Sequence, residues 1–167
     1  MHGNRWLVPV ALAGALMLSP SVALAARISG RIVENVGIKT AKLNLHDTTD
    51  THRLGWSYRR VVDDNYAYTV YKYLFGKKSS KSGHYPLEMY SKKSNRHVFT
   101  FIVYSPLLVT KNGTHVGTSE DDVKSRYGSS TKYTTPTYTY YRVHASSGLT
   151  EFWCKSGKVH HIVIAKL

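Results

Sequence analysis

The side chains of this 167-residue chain that carry the ingredients of chemistry are its histidines, its one cysteine and a small set of acids. His46-Asp47 and Asp50-Thr51-His52 gather metal-capable groups after a strand-like run. Their spacing matches no zinc pattern, and Asp47, Thr48, Thr49 and Asp50 are equally good turn residues. His160-His161 is a second pair, but neighbours on a strand point to opposite faces and cannot both serve one ion. No metal and no cofactor are expected. Hydrolysis needs a nucleophile beside a base, or paired carboxylates. The chain has 10 Asp+Glu, and Asp63, Asp64, Glu120, Asp121 and Asp122 fall at helix ends or turns. Gly-x-Ser-x-Gly, His-Glu-x-x-His and phosphate-loop patterns are absent. Cys154, inside Phe152-Trp153-Cys154, reads as a buried inert thiol and leaves no intrachain disulfide to form. The expectation is a protein without catalysis. A small basic secreted hydrolase using His and Lys is the alternative.

Aromatic and basic residues offer binding instead. Thirteen tyrosines are present, many in strand-like runs, and strand alternation sorts them by face. In 138–143, Tyr141 and Val143 suit the core, leaving Tyr138, Tyr140 and Arg142 outside. In 149–154, Phe152 and Cys154 suit the core, leaving Glu151 and Trp153. In 97–104, Phe99, Phe101 and Val103 suit the core, leaving Thr100, Ile102 and Tyr104. In 159–165, Ile162 and Ile164 turn inward, leaving His161 and Val163. Tyr104, Tyr138, Tyr140, Arg142 and Trp153 then form a candidate protein-binding face, because Tyr, Trp and Arg dominate binding hot spots. The other reading of this face is ordinary core, covered by further strands. A second candidate is the basic segment holding Lys72, Lys77, Lys78, Lys81, Lys92, Lys93 and Arg96 against one acid, Glu88. It suits an anionic envelope polymer or a phospholipid surface, in salt-sensitive contact. A solvated loop is the plainer reading. No nucleic-acid motif is present.

The elements that position these residues are short. Strands are expected over 38–46, 66–74, 85–90, 97–104, 138–143, 149–154 and 159–165, bounded by Gly, Ser, Asn and Lys clusters. Lys155-Ser156-Gly157-Lys158 makes a tight turn. Val116–Gly128 reads as a capped helix. Ser119 is the N-cap, Glu120, Asp121 and Asp122 load the first turn, and Lys124 and Arg126 load the last. Val123 and Tyr127 form its apolar side, and Gly128 is placed to end it with a positive φ. Leu54-Gly55-Trp56-Ser57 followed by Val61 echoes Val116-Gly117-Thr118-Ser119 followed by Val123.

At the start of the chain, Arg5 precedes an apolar run from Trp6 to Leu18, then Pro20 and Ala23-Leu24-Ala25. This is the pattern of a secretory signal over residues 1–26, with cleavage near Ala25 or Ala26. The run is shorter than the ~20 residues of a membrane span. The whole chain carries 23 Lys+Arg and a net charge of +13, and the signal accounts for one Arg. The expected place of work is extracellular or periplasmic, with peripheral membrane contact open.

Gly-x-Ser, a short helix ending Tyr127-Gly128 and a following antiparallel meander resemble the repeat of β-lactamase-inhibitor-protein-like domains and small outer-membrane-assembly lipoproteins. The resemblance spans Thr110 to Leu167, more loosely 38–104, and the lipoprotein cysteine is missing. It implies an α+β fold, with short helices packed on an antiparallel sheet in one or two helix-plus-meander repeats, here 27–104 and 105–167. It implies binding of a protein partner through the exposed sheet face and no catalytic residues.

Overall fold

The computed structural model describes residues 30–34, 37–38, 43–45, 56–64 and 69–167. Strands dominate: β1 (Gly30–Val33), β2 (Gly37–Ile38), β3 (Leu43–Asn44), β4 (Tyr58–Asp63), β5 (Val70–Phe75), β6 (Leu87–Lys92), β7 (Val98–Val103), β8 (Leu108–Val109), β9 (Thr131–Thr134), β10 (Thr139–Ala145), β11 (Gly148–Lys155) and β12 (Lys158–Ala165). One helix, α1 (Glu120–Arg126), stands among the described residues. The reason lies in residue type. Segments such as Val-Phe-Thr-Phe-Ile-Val in β7 are β-branched and aromatic, fitted to a pleated surface.

Eight strands form one antiparallel sheet in the order β4-β5-β6-β7-β12-β11-β10-β9. It consists of two four-stranded meanders, β4 to β7 and β9 to β12, whose last strands pair with each other. Ile102 faces Val163 across that seam. The β11–β12 turn has positive φ at both Ser156 (52°) and Gly157 (73°). Those signs define a type I′ turn, whose twist matches the flanking strands.

One face of the sheet supplies the core. Phe75, Phe101 and Phe152 are fully buried there with Leu87, Ile162 and Ile164. At roughly 1.5–3 kcal/mol for each such side chain removed from water, this layer is the main stabilising element. A second, small sheet (β3-β2-β1-β8) and α1 pack onto it. Ile32, Ile38 and Leu108 come from the small sheet; Val123 comes from the middle of α1 and Tyr127 from its C-cap. The Tyr127 ring lies 4.5 Å from that of Phe152. Its hydroxyl donates to Glu34 Oε1 (2.8 Å), tying β1 to the helix.

The helix forms as its residues dictate. Ser119 Oγ accepts from the Asp122 N–H (3.1 Å), and Lys124 pairs with Asp121 (2.9 Å). Glu120 accepts from the Tyr141 hydroxyl at 2.6 Å, fixing the helix N-terminus to β10. Its end differs from expectation: Tyr127 takes the cap at φ −128°, and Gly128 is not among the glycines with positive φ.

The α+β expectation is overturned. The protein is mostly β, because much of the layer expected from helices is a second small sheet. The echo at residues 54–61 does not make a helix either: Val61 lies in β4. Arg59 and Arg60 stand where the helical copy has its acidic first turn, and Tyr-Arg-Arg-Val-Val favours an extended chain. Leu54 and Gly55 lie outside the described residues, as do the signal segment, 66–68 of the expected 66–74 strand and the cluster at His46, Asp47, Asp50 and His52. Among the described residues no helix is long and apolar enough to cross a membrane.

Candidate functional site: the open sheet face

No described strand or helix covers the other face of the large sheet. All five residues of the expected protein-binding set lie there together. Register makes the row: Tyr133 faces Tyr140, Tyr140 faces Trp153, and Trp153 faces His161. The rings stack into a ladder. Centroids are 4.9 Å apart for Tyr133–Tyr140, 4.3 Å for Tyr140–Trp153 and 5.4 Å for Trp153–His161, with interplanar angles of 14°, 14° and 18°. Tyr104 continues it at 5.4 Å from His161, and His84 stacks on Tyr104 at 4.0 Å. Tyr138 packs edge-on against Trp153 at 5.7 Å. The Arg142 guanidinium lies 4.8 Å from the Tyr133 ring centre and 5.6 Å from that of Tyr140.

Two buried carboxylates sit within this face, each held the same way. Glu151 accepts from Arg142 Nε (2.7 Å) and from Trp153 Nε1 (2.7 Å). Glu88 accepts from the Tyr90 hydroxyl (2.9 Å) and pairs with Lys72 (2.9 Å). Each is 5–6 % exposed. A buried charge is tolerated only when paired and hydrogen-bonded, and both are. Across the seam the row reads Glu88, Ile102, Val163, Glu151. One carboxylate therefore lies a strand away on either side of the Ile102–Val163 pair. The signal was present in sequence as Leu87-Glu88-Met89-Tyr90 and Thr150-Glu151-Phe152-Trp153: an acid two residues before a large aromatic, in the third strand of each meander.

Both meanders also carry a register shift at the matching place. Trp153 faces His161 but Cys154 faces Val159, so His160 is the extra residue. Tyr90 faces Thr100 but Ser91 faces Val98, so Phe99 is. Two expectations change as a result. Phe99 leaves the core row to Val98, which is 1 % exposed, and its ring meets Tyr90 instead. His160 and His161 share a face, with their Nδ1 atoms 2.9 Å apart. A bulge is the device that breaks alternation in this way.

The electrostatics follow from this packing. Burial, with His160 and His84 nearby, pushes His161 down to about 4, so it stacks as a neutral ring. Burial, His84 and Lys155 also lower His160. Burial and the Glu88 carboxylate push the Tyr104 hydroxyl up to about 12. Burial raises the Cys154 thiol to about 12, which makes it the inert core thiol expected. Among the described residues no group of three or more His, Cys, Asp or Glu side chains is arranged to hold a metal ion.

The basic segment is not one patch. Lys72 lies on the open face in its pair with Glu88, over the Tyr90 ring. Lys77, Lys78 and Lys81 are exposed in the β5–β6 loop. Lys92, Lys93 and Arg96 are exposed at the β6–β7 hairpin, at the opposite end of β6. Six residues of strand separate those ends by about 17 Å.

No family model matches the chain, and no curated protein matches it. Among solved structures it is similar to the uncharacterized protein YfeY from Escherichia coli. That likeness has a TM-score of 0.54 and 11 % identity, covering 83 % of this chain and 99 % of that one. It shows a shared fold. An extracellular protein containing an SCP domain from Bacillus anthracis gives a TM-score of 0.49 at 10 % identity, over 73 % of this chain and 44 % of that one.

Proposed function

We propose that this is an exported, non-catalytic binding protein that engages a protein partner through the open face of its large sheet. The ladder from Tyr133 to His84 carries the reading. Its ring faces are spent on each other, so the ladder presents ring edges and hydroxyls outward. That suits the mixed apolar and polar surface of a protein better than the flat face of a sugar or base, which needs a free ring face. Arg142, Lys72 and Lys155 border the ladder and the two buried acids are already neutralised. With a chain charge of +13, the complementary partner surface is apolar and acidic. Export rests on the signal pattern of residues 1–26.

The test is a comparative pull-down with the mature protein at about 0.05 and 0.5 M salt, where an aromatic interface largely survives and a purely ionic one does not. A protein retained at both salts by the wild type and by Lys77→Gln/Lys78→Gln, but lost with Tyr140→Ala/Trp153→Ala of unchanged circular dichroism, meets the expectation. Retention by the aromatic double variant would sink it.

A further inference from the structure

Beside the ladder, at the end of the sheet where β12 begins, lies a groove of about 360 Å³ lined by Tyr104, Lys155, Lys158, His160, Ser82 and the Val116–Gly117 backbone among others. That is the size of a small-ligand pocket. Three side chains in it carry or can acquire positive charge. Among the described residues neither Lys155 nor Lys158 forms an ion pair, and no carboxylate lines the groove. Two other strand-borne cations on the open face do have their own acid: Lys72 has Glu88, and Arg142 has Glu151. The groove is thus a concentration of positive charge without an internal counter-ion, walled on one side by the Tyr104 ring.

The bulge makes it. Because His160 is the extra residue, its imidazole turns toward Tyr104 and Tyr138, at 6.1 and 5.5 Å between ring centres, rather than into the core. The matching bulge in the first meander also opens a groove, but only about 120 Å³, with Phe99 where the second has His160. The first groove is also lined by a histidine and two lysines, His97, Lys92 and Lys166, but its volume is about a third of the second's and its bulge residue is not titratable.

We propose that this groove binds a phosphoryl group, with Lys155, Lys158 and His160 as its cationic donors and the Ser82 hydroxyl as a neutral one. A compact dianion matches two lysine point charges better than a carboxylate does. The rest of the ligand lies along the Tyr104 ring. The site adjoins the partner surface, sharing Tyr104 and Lys155 with its edge, and is tested without a partner.

The groups facing His160 are His84, His161, Tyr104, Tyr138, Lys155 and Lys158, none of them acidic at neutral pH. A bound oxyanion supplies the missing negative charge and raises its pKa, so binding tightens as His160 protonates. Sulfate, a dianion throughout, reads this coupling cleanly. The experiment titrates the mature protein with inorganic phosphate and with sulfate, following the His160 imidazole resonances by NMR. A saturable shift is expected, with affinity for sulfate increasing from pH 7.5 to 5.5. His160→Gln removes that increase. Lys155→Gln/Lys158→Gln weakens binding at least ~tenfold, while Lys92→Gln/Lys93→Gln, equal in charge at the far end of the sheet, changes it less than ~twofold. Glycerol phosphate and vesicles containing phosphatidic acid then separate the sources. Competition between vesicles and phosphate assigns a lipid headgroup; binding of glycerol phosphate without vesicle binding assigns a soluble ester. No saturable shift at His160, or equal loss in the two lysine double variants, overturns the proposal.

Discussion

His160 and His161 are adjacent in sequence, yet their Nδ1 atoms lie 2.9 Å apart on the same face of the sheet. A regular strand forbids this, and the bulge opposite Trp153 and Cys154 permits it. The contact joins the aromatic ladder, through His161, to the cationic groove, through His160. One nitrogen donates and the other accepts, which requires at least one ring to stay neutral.

Acid should destabilise the protein through His161. Its folded pKa, about 4, lies below the ordinary histidine value near 6.5. Between those values the unfolded chain binds a proton that the native state refuses. Stability is full above about pH 6.5 and falls as the pH drops toward 4, by about 2 kcal/mol after allowance for partial exposure. Urea midpoints at pH 7.5 and 4.5 check it: His161→Phe should flatten the difference, and an unchanged slope would speak against a neutral His161.

Removing Glu151 should cost more than removing a surface acid. Glu151→Ala strands the Arg142 guanidinium and leaves Trp153 Nε1 without its acceptor. A loss of ~2–4 kcal/mol in denaturant unfolding is expected. Glu151→Gln keeps an acceptor for the indole and should cost less. A Glu151→Ala effect under 0.5 kcal/mol would show the pair to be energetically idle.

The β11–β12 turn offers opposite responses at adjacent positions. Ser156 already holds φ 52° without being glycine. Ser156→Asn installs the Asn-Gly pair favoured in type I′ turns and should raise stability by a few tenths of a kcal/mol. Gly157→Ala meets no atom within 4 Å but must adopt φ +73°, at a cost of about 1 kcal/mol. Thermal melts of the two variants should move in opposite directions.

Cys154 should be silent in the folded protein. It is 1 % exposed, with its thiol raised to about 12 by burial. A chromogenic disulfide reagent should find no thiol in the native protein and one equivalent in urea. Rapid reaction in the native state would show that β11 opens locally.

Much of this was readable along the chain, because local structure follows local chemistry. Ser119 and the acids after it nucleate α1 where expected, and six of the seven expected strand runs overlap a described strand; the run at 38–46, of which 39–42 and 46 lie outside the described residues, is instead two short strands, β2 and β3, paired antiparallel with each other. The alternation in β10 and β11 placed Tyr140, Arg142 and Trp153 on one side with Tyr141 and Phe152 on the other, since a period of two depends only on the pleat. Tyr104, Tyr138, Tyr140, Arg142 and Trp153 were gathered for the same reason. The side chains assigned to the wrong face fell where periodicity is interrupted. Phe99 and His160 sit at bulges, and a bulge is a property of two strands in register, invisible in either alone.

What residue order and type settled was which segments extend, where α1 starts and which way most side chains point, because those are short-range effects of sterics, capping and charge. Long-range pairing settled the rest. Joining β7 to β12 made one eight-stranded sheet. It set Glu88 and Glu151 on either side of Ile102 and Val163, brought His84 from a loop onto Tyr104, and split the Lys72–Arg96 segment between opposite ends of the strands. Such contacts join residues tens of positions apart, so their geometry depends on hydrogen-bond register between strands and on which element covers which face.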